Sequence, residues 1–449
     1  MLEALPKQVK KEADPYLSRF DAFERDGTSQ PTWAASLRKA GISRFAEFGF
    51  PTLQDENWRF TNVAPIAKLP FHPVLERTAH GVKQETIEAF SFATLKSSRL
   101  VFVDGHFAPE LSHVLPLPAG VQVMSLKAAM QLNLPALEKH LGRYAQIENN
   151  SFTALNTAFF TDGVFIHVQA GKTLPDPVQL IFVSTARENG ATSHPRNLVI
   201  AEANSQLTLV ETYASLGTEP TLTNAAIEFV IGENARVEHC KFQDEHLKAF
   251  HIGAIQAQLG KSANFISHSL ALGALLSRNN INTVLGGEGI ECVLNGLYIP
   301  KDNQTADHFM IVDHVKPHCN SHEYFNGILD DHARGVFHGR ILVRQEAQKT
   351  DAKQTNKNLL LSDDATANTK PQLEIYADDV KCTHGATVGQ LNEESIFYLR
   401  ARGIGLETAR RMLIHAFAGE IIDRIRCEPL REEVDKIVWD RLEANPHIS

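Results

Sequence analysis

The sequence has few cysteines, and they follow no regular spacing. Its 449 residues include five cysteines, an odd number, and no two of them form a Cys-x-x-Cys pair. Disulfide frameworks need paired cysteines, and tetrahedral zinc sites are typically built from closely spaced ligand pairs. The sequence therefore predicts neither kind of site and leaves at least one thiol free. The five are Cys240, Cys292, Cys319, Cys382 and Cys427.

Long hydrophobic runs are also missing. The opening residues, MLEALPKQVKKEADPYL, lack the apolar core of a signal peptide, and no later stretch has the roughly 18 apolar residues of a membrane span. We therefore expect a cytoplasmic protein with no membrane partner. A net charge of −9 and the lack of a basic stripe argue against nucleic acid as the main partner.

Two Gly-Lys pairs look like the end of a phosphate-binding loop, but neither completes one. Gly171-Lys172-Thr173 and Gly260-Lys261-Ser262 match the last residues of G-x-x-x-x-G-K-[ST], yet the first glycine of the motif would fall on Ile166 or Ile255. The sequence also lacks the G-x-S-x-G and H-E-x-x-H motifs of hydrolases and zinc proteases. ATP binding by this chain is therefore not predicted.

Repetition is the main feature of the middle of the chain. From Gly163 to about residue 391, short strand-like segments such as VQLIFV, NLVIA and IEFVI alternate with Gly, Asn, Asp and Pro. Small residues precede such segments at spacings of 30, 28, 26 and 44, the last long enough to hold an insertion. They are Ser205, Ala235, Ala263, Gly289 and Ala333. This period is typical of a β-solenoid, in which each coil buries its apolar face on the next, and a β-sandwich is the competing interpretation.

Helical patterns flank the repeats. We predict a mainly β protein with an N-terminal helical and mixed domain over 1–160, a parallel β-helix over 161–391 and a C-terminal helical domain over 392–449. A hairpin turn is predicted at Asp104-Gly105, and Asn392 is placed to cap the first C-terminal helix. Helical domains can cover the edges of a solenoid, and an uncovered edge can pair with another chain.

Cys382 and His384 stand where the strand-like sequence ends. If this segment is a strand, side chains at i and i+2 share one face and lie about 7 Å apart. The chain is then expected to turn at Gly385 and Gly389 and become helical. Two ligands do not make a metal cage, so further ligands would have to come from another strand or another protein. Packing without a metal is the alternative.

Two other polar clusters leave different functions open. His318, Cys319 and His322 form H-C-x-x-H, which contains three metal-ligand types, although such a cluster in a turn is commonly polar surface. The acidic pairs at 330–331 and 363–364 are compatible with a carbohydrate-active β-solenoid enzyme, a lyase or hydrolase. Such acidic runs are, however, usually solvated turns.

Three stretches together resemble the SufD branch of the SufB/SufD family, which belongs to the SUF iron-sulfur cluster assembly system. They are DDVKCTHGATVGQLNEESIFYLRARGI, ARRMLIHAFAGEII and the early WAASLRKAGISRFAEFGFPTLQDENWRFTN. The C-x-H-G motif, in place of the acidic E-H-E pattern of SufB, favours the SufD branch.

The resemblance implies a right-handed parallel β-helix flanked by helical domains, and the role of a non-enzymatic scaffold. It implies pairing with SufB through the β-helix and docking of the ATPase SufC on the C-terminal helical domain, with a homodimer as an alternative for the isolated chain. It also implies that His384, and less firmly Cys382, are iron or nascent-cluster ligands at the SufB interface. The iron-sulfur cluster would then be transient and shared with SufB, with none tightly bound by the isolated chain.

Overall fold

A parallel β-solenoid of about 8 turns forms most of the structure, with helices before and after it. The structure is a computed structural model that describes residues 7–25, 31–77 and 81–443. The solenoid predicted from the repeats is therefore confirmed. The outermost residues of both predicted flanking domains, 1–6 and 444–449, lie outside the described part.

The described helices lie on either side of the strand-rich region. They are α1 (Lys7–Arg25), α2 (Thr32–Phe48), α3 (Ala64–Ala67), α4 (Gln84–Phe90), α5 (Leu126–Gln131), α6 (Pro135–His140), α7 (Ser151–Phe159), α8 (Glu393–Ala401), α9 (Leu406–Ile422) and α10 (Glu428–Glu443). None of these described helices is long and apolar enough to cross a membrane.

The described strands are short and numerous. They are β1 (His72–Pro73), β2 (Ser98–Val103), β3 (His106–Phe107), β4 (Val121–Ser125), β5 (Val164–Val168), β6 (Val178–Ser184), β7 (Ala191–Ser193), β8 (Arg196–Ala201), β9 (Gln206–Ser215), β10 (Thr221–Ile231), β11 (Arg236–Asp244), β12 (Phe250–Leu259), β13 (Asn264–Ala271), β14 (Leu276–Leu285), β15 (Glu291–Tyr298), β16 (Thr305–His314), β17 (Asn320–Leu329), β18 (Arg334–Val343), β19 (Asp351–Leu360), β20 (Thr366–Ile375) and β21 (Lys381–Gly389).

The strands form two sheets that face each other across a packed lumen. The first sheet has the order β20-β18-β16-β14-β12-β10-β8-β5-β4, and the second has the order β21-β19-β17-β15-β13-β11-β9-β6-β2-β3. From β9 onward successive strands alternate between the sheets, so that each coil adds one parallel strand to each of them. The paired positions Glu291, Asn320, Asp351 and Lys381 are 29, 31 and 30 residues apart, which is the length of a coil.

The strand register corrects part of the predicted repeat. The first three repeat residues do precede β9, β11 and β13 of one sheet and are buried. Before β15, however, the equivalent of Ala263 is Ile290 and not Gly289. The reason is that Asn264, the residue after Ala263, pairs with Glu291, the residue after Ile290. Ala333 precedes β18, which lies in the other sheet. The 44-residue spacing is therefore a change of sheet and not an insertion.

The lumen combines an apolar core with paired polar groups. Phe265 and Cys292 stack on neighbouring strands within the largest hydrophobic cluster. Buried apolar surface of this kind contributes about 25 cal/mol per Å². Polar side chains inside the lumen contact one another, as where Lys241 Nζ donates to Asn279 Oδ1 at 2.5 Å. Burial lowers the pKa of Lys241 to about 8.

The N-terminal region covers the outer face of the first sheet. Arg278, on β14, lies 3.7 Å from the centre of the Trp58 ring and forms a buried ion pair with Asp307 on β16. The hydroxyl of Thr61 donates to the same Asp307 carboxylate at 2.5 Å. These contacts of Trp58 and Thr61 with Arg278 and Asp307 hold the loop that follows α2 against the solenoid.

The C-terminal helices cover the outer face of the second sheet. Residues of α9 and α10 share one hydrophobic cluster with outward-facing residues of β9, β11, β13, β15, β17 and β19. Arg441 Nη1 donates to Asp244 Oδ2 at 2.9 Å, and the backbone nitrogen of Arg426 donates to Glu238 at 2.8 Å. Glu433 accepts from the backbone nitrogen of Thr94 at 2.6 Å. The C-terminal helices therefore contact both the solenoid and the N-terminal region.

The two ends of the solenoid differ. At its beginning, β3 and β4 pair in antiparallel orientation with β2 and β5, so residues before position 160 contribute to both sheets. The predicted hairpin joins β2 to β3, with φ of 49° at Asp104 and 86° at Gly105. β3 and β4 are the outermost strands at this end, whereas at the other end the outermost strands are the parallel strands β20 and β21, and no strand of the described chain continues either sheet there.

Candidate functional site

Cys382 and His384 both lie on β21, the last strand of the second sheet. The parallel pairing with β19 places Cys382 beside Ala352 and His384 beside Gln354. Because side chains alternate along a strand, both face the side that is the lumen in earlier coils. The sequence prediction that the pair shares one face of a strand agrees with this register.

The chain leaves β21 later than the sequence predicts. The strand continues through Gly385 to Gly389, so the turn predicted at Gly385 is wrong. A Cβ added at either glycine would meet no atom of the described chain within 4 Å, which shows that the strand is uncovered here. Helix α8 then begins after Asn392, whose side chain accepts from the backbone nitrogen of Ser395 at 2.9 Å, as predicted.

The two candidate ligands have different surroundings. Cys382 is half-buried and packs against a small apolar cluster that includes Ile341 and Val343. Burial, together with the nearby Asp351, raises the pKa of the Cys382 thiol above its ordinary value, so the thiol keeps its proton at neutral pH. His384 is exposed. The imidazole is therefore the more accessible ligand of the two.

The pair does not form a complete metal site within the described chain. Across residues 7–25, 31–77 and 81–443, no group of three or more His, Cys, Asp or Glu side chains is arranged to hold a metal ion. Metal sites in proteins commonly use four protein ligands, or three with an open position. Any metal or cluster bound at Cys382 and His384 therefore needs ligands from outside the described residues.

The three residues of H-C-x-x-H are not brought together. His318 lies in a turn with φ of 61°. Cys319 is buried and its thiol donates to the carbonyl oxygen of Gly287 at 3.2 Å. His322 lies on β17 with its imidazole 3.5 Å from Asp351. Because these side chains face different surroundings, the cluster seen in the sequence is not a metal site among the described residues.

The acidic pairs considered for carbohydrate chemistry lie in turns between coils. Asp331 has a φ of 52°, and its carboxylate accepts from the backbone nitrogen of Asp302 at 3.2 Å. Asp364 lies 3.6 Å from the imidazole of His332, and both side chains are mostly exposed. These contacts are typical of surface turns that stack from coil to coil.

The sequence motifs assign no role to two buried residues near the site. Glu323, Gln354 and His384 occupy successive strands in one register column. Gln354 Nε2 donates to Glu323 Oε2 at 2.6 Å, and both side chains are almost fully buried. Burial raises the pKa of Glu323 to about 7. A sequence signal existed only in the alternation of β17, where Glu323 stands between the lumen residues Ser321 and Phe325.

Exposed apolar side chains surround the open end and the adjoining helix. Tyr376, which follows β20, is 63% exposed, and Val388 on β21 is 49% exposed. On α8, Phe397 is 75% exposed and Tyr398 is 54% exposed. Exposed apolar side chains mark an interaction site where they form a patch. These features define a class of protein: a parallel β-solenoid whose last coil has unpaired strand edges and presents potential metal ligands.

The chain belongs to the SufB/SufD family of SUF-system iron-sulfur cluster assembly proteins. Residues 182–417 match the family described as "SUF system FeS cluster assembly, SufBD core domain", and residues 13–180 match the SufBD protein N-terminal region. The resemblance to this family inferred from the sequence motifs is confirmed.

Several relatives match almost the whole chain. An iron-sulfur cluster assembly SufBD family protein of Synechocystis is 34% identical over 447 residues, which cover 98% of each chain. The iron-sulfur cluster assembly protein SufD of Escherichia coli is 33% identical over 422 residues, covering 94% of this chain and 95% of the relative. SufD of Bacillus subtilis is 24% identical, covering 91% and 94%.

Proposed function

We propose that this chain is a non-enzymatic, cytoplasmic scaffold subunit of a SUF iron-sulfur cluster assembly complex. In this proposal the open end of the solenoid pairs with SufB, and the C-terminal helices bind the ATPase SufC. The single observation that carries the proposal is the position of Cys382 and His384 on an edge strand that has no partner on its outer side among the described residues.

The open edges support pairing with another β-solenoid. An edge strand presents unpaired N–H and C=O groups, and such groups are satisfied when a strand from another chain is added. Here β20 and β21 end both sheets at the same place. A partner coil of matching geometry would continue both sheets at once and would cover Tyr376 and Val388. SufB is the partner that we propose.

His384 is proposed to supply one imidazole ligand for iron or for a nascent cluster. Imidazole is a known ligand of iron-sulfur centres in place of cysteine. The protonated thiol of Cys382 is a weaker candidate, because a metal must first displace its proton. Most thiolates would therefore come from SufB. The cluster would be transient and shared, with none tightly bound by the isolated chain.

The surface of α8 and α9 supports the proposed contact with SufC. Phe397 and Tyr398 are exposed aromatic residues, and Met412 on α9 is 40% exposed. Aromatic side chains in such patches commonly supply much of the binding energy of an interface. The incomplete Gly-Lys motifs agree with a division of labour in which the partner supplies ATP hydrolysis.

The ligand role is tested by co-expression with SufB and SufC, followed by size measurement and by iron and sulfide analysis. We expect His384→Ala to leave the complex assembled and to reduce its cluster content. His332→Ala, which removes an exposed imidazole from a turn, is the matched control and should keep the wild-type content. Normal cluster formation with His384→Ala would refute the ligand role, and failure of the wild-type chain to bind SufB would refute the scaffold role.

The SufC contact is better tested by point substitution than by deletion. Deleting α8 to α10 would expose the outer face of the second sheet, because α9 and α10 pack on it. We expect the double variant Phe397→Ala and Tyr398→Ala to lose SufC and to retain SufB. Leu132→Ala, which removes an apolar side chain that is 63% exposed in the N-terminal region, is the control. Retention of SufC by the double variant would place its docking site elsewhere.

The isolated chain is expected to form a homodimer through the same edge. A homodimer satisfies the same unpaired backbone groups that SufB would satisfy in the complex. We expect Val388→Lys to shift the isolated chain toward monomer in sedimentation experiments, because a lysine on an edge strand opposes strand addition. A dimer unaffected by this substitution would indicate another interface.

A further inference from the structure

The lumen contains a buried carboxylate whose surroundings differ from those of its neighbours. Glu211 lies 3.0 Å from the imidazole of His239, and Glu245 lies 2.7 Å from that of His251. Among the described residues, Glu323 has only the amide of Gln354 as a hydrogen-bond partner, and its Oε1 atom has none. A buried carboxylate without a cation is costly, so its retention in the lumen calls for a reason.

The carboxylate fixes the orientation of the Gln354 amide. Gln354 Nε2 donates to Glu323 Oε2 at 2.6 Å, which identifies the amide nitrogen by its hydrogen bond. On the opposite sheet, a Cβ at Gly339 would overlap that nitrogen, so the glycine provides the space that the amide occupies. The amide oxygen of Gln354 is buried and has no partner within the described chain.

His384 is the next residue of this column on the open side. Its strand pairs with that of Gln354 in direct register, at the usual strand separation of about 4.8 Å. Because the amide nitrogen of Gln354 donates to Glu323 on the preceding strand, its amide oxygen remains available to a donor on the following strand. Histidines that bind metals usually donate their second ring N–H to a carbonyl or carboxylate, which fixes the tautomer and the ring orientation.

We propose that Gln354 is the positioning residue of His384. Its buried carbonyl oxygen accepts a hydrogen bond from one ring N–H, after rotation of the exposed imidazole, and the other ring nitrogen is thereby presented at the open edge. Glu323 holds the amide in the orientation that leaves the carbonyl free. The importance of this arrangement rests on the proposed function of His384, but the hydrogen bond itself is a property of the isolated chain.

The hydrogen bond is tested by NMR of the full-length isolated chain labelled with ¹⁵N-histidine. Two-bond ¹H–¹⁵N correlations identify the protonated ring nitrogen, and the His384 signals are assigned by their loss in His384→Ala. In the wild type we expect one neutral tautomer to exceed the other by about fivefold, the effect of one net hydrogen bond. Gln354→Met, which keeps length but removes the acceptor, should bring this ratio to that of a histidine in an unstructured peptide.

A matched control is available in the same sheet. Gln243 donates to Glu245 at 3.1 Å and also has a buried amide oxygen with no partner among the described residues, but it lies four strands earlier. Gln243→Met should therefore leave the tautomer ratio of His384 unchanged. An identical ratio in the wild type and in Gln354→Met would overturn the inference.

The coupling is tested separately in the complex with SufB and SufC. We expect Gln354→Met to lower cluster content severalfold in the wild-type background and to have no further effect in the His384→Ala background. An equal loss in both backgrounds would mean that Gln354 acts only on structure, and would overturn the positioning role. A changed tautomer with unchanged cluster content would support the hydrogen bond and overturn the role of Gln354 in cluster binding, whereas the ligand role of His384 itself is decided by His384→Ala.

Discussion

Replacing the isolated lumen carboxylate should stabilise the protein at high pH. Burial raises the pKa of Glu323 to about 7, from an ordinary value of 4.5. The folded state therefore binds a proton more tightly than the unfolded state, and the stability contributed by this proton is lost as the pH rises through the folded pKa. Glu323→Gln keeps the acceptor oxygen for Gln354 and cannot ionise, so the variant should not show this loss.

The magnitude follows from the pKa difference. One pKa unit corresponds to about 1.4 kcal/mol, so a difference of about 2.5 units is worth roughly 3 kcal/mol once both states are ionised. Part of this stability is already lost at pH 5, because that pH lies above the ordinary pKa of 4.5 that applies to the unfolded state. Between about pH 5 and pH 8.5, the stability of Glu323→Gln relative to the wild type should therefore rise by about 2.5 kcal/mol.

Urea unfolding of both proteins across this pH range measures the effect. Ile281→Val, which removes a methylene from the lumen and introduces no charge, is the control, and its cost of about 1 kcal/mol should be the same at every pH. A pH-independent difference for Glu323→Gln would refute the reasoning. A variant less stable than the wild type near pH 8.5 would show that a cation stabilises the ionised carboxylate.

Two further outcomes test the packing of the N-terminal region. Gly190→Ala should destabilise the protein by several kcal/mol, because its Cβ would overlap the Pro70 carbonyl oxygen. Gly171→Ala, also at positive φ but with no atom within 4 Å of its Cβ, should cost only about 1 kcal/mol. Equal melting temperatures for the two variants would contradict the close contact. Arg278→Met should cost about 3–5 kcal/mol, because it leaves the Asp307 carboxylate buried without its cation, and the double variant Arg278→Met with Asp307→Leu should recover most of that loss in the same unfolding assay.

The sequence predicts those features that depend on local pattern. Short alternating strands at a regular spacing are enough to identify the solenoid, and Asn392 marks the start of α8 because capping involves residues only three apart. The exact register between coils is not a local pattern, because it depends on pairing between residues about thirty positions apart. For that reason the repeats are predicted correctly, whereas the 44-residue spacing to Ala333 is wrongly interpreted as an insertion.

The candidate site was only half predictable for the same reason. Cys382 and His384 are two residues apart, so their shared face follows from strand geometry. Glu323 and Gln354 lie in the same column as His384 but come from two earlier coils. A lone polar residue in an alternating strand is ordinarily assigned to the solvent face, so only its alternation with Ser321 and Phe325 indicates Glu323 as a lumen residue.

The difference between the two ends of the solenoid has a consequence for cooperativity. In a linear array of repeats, each unit is stabilised by its intrinsic energy and by its contacts with neighbours on both sides. The final coil, formed by β20 and β21, has one such neighbour instead of two and should open more readily than the interior coils in local fluctuations. His384 is thus carried by the coil that gains most from an added neighbour. Partner binding would then order the ligand strand in the same step that completes the site, so that the ligands become rigid only in the assembled complex.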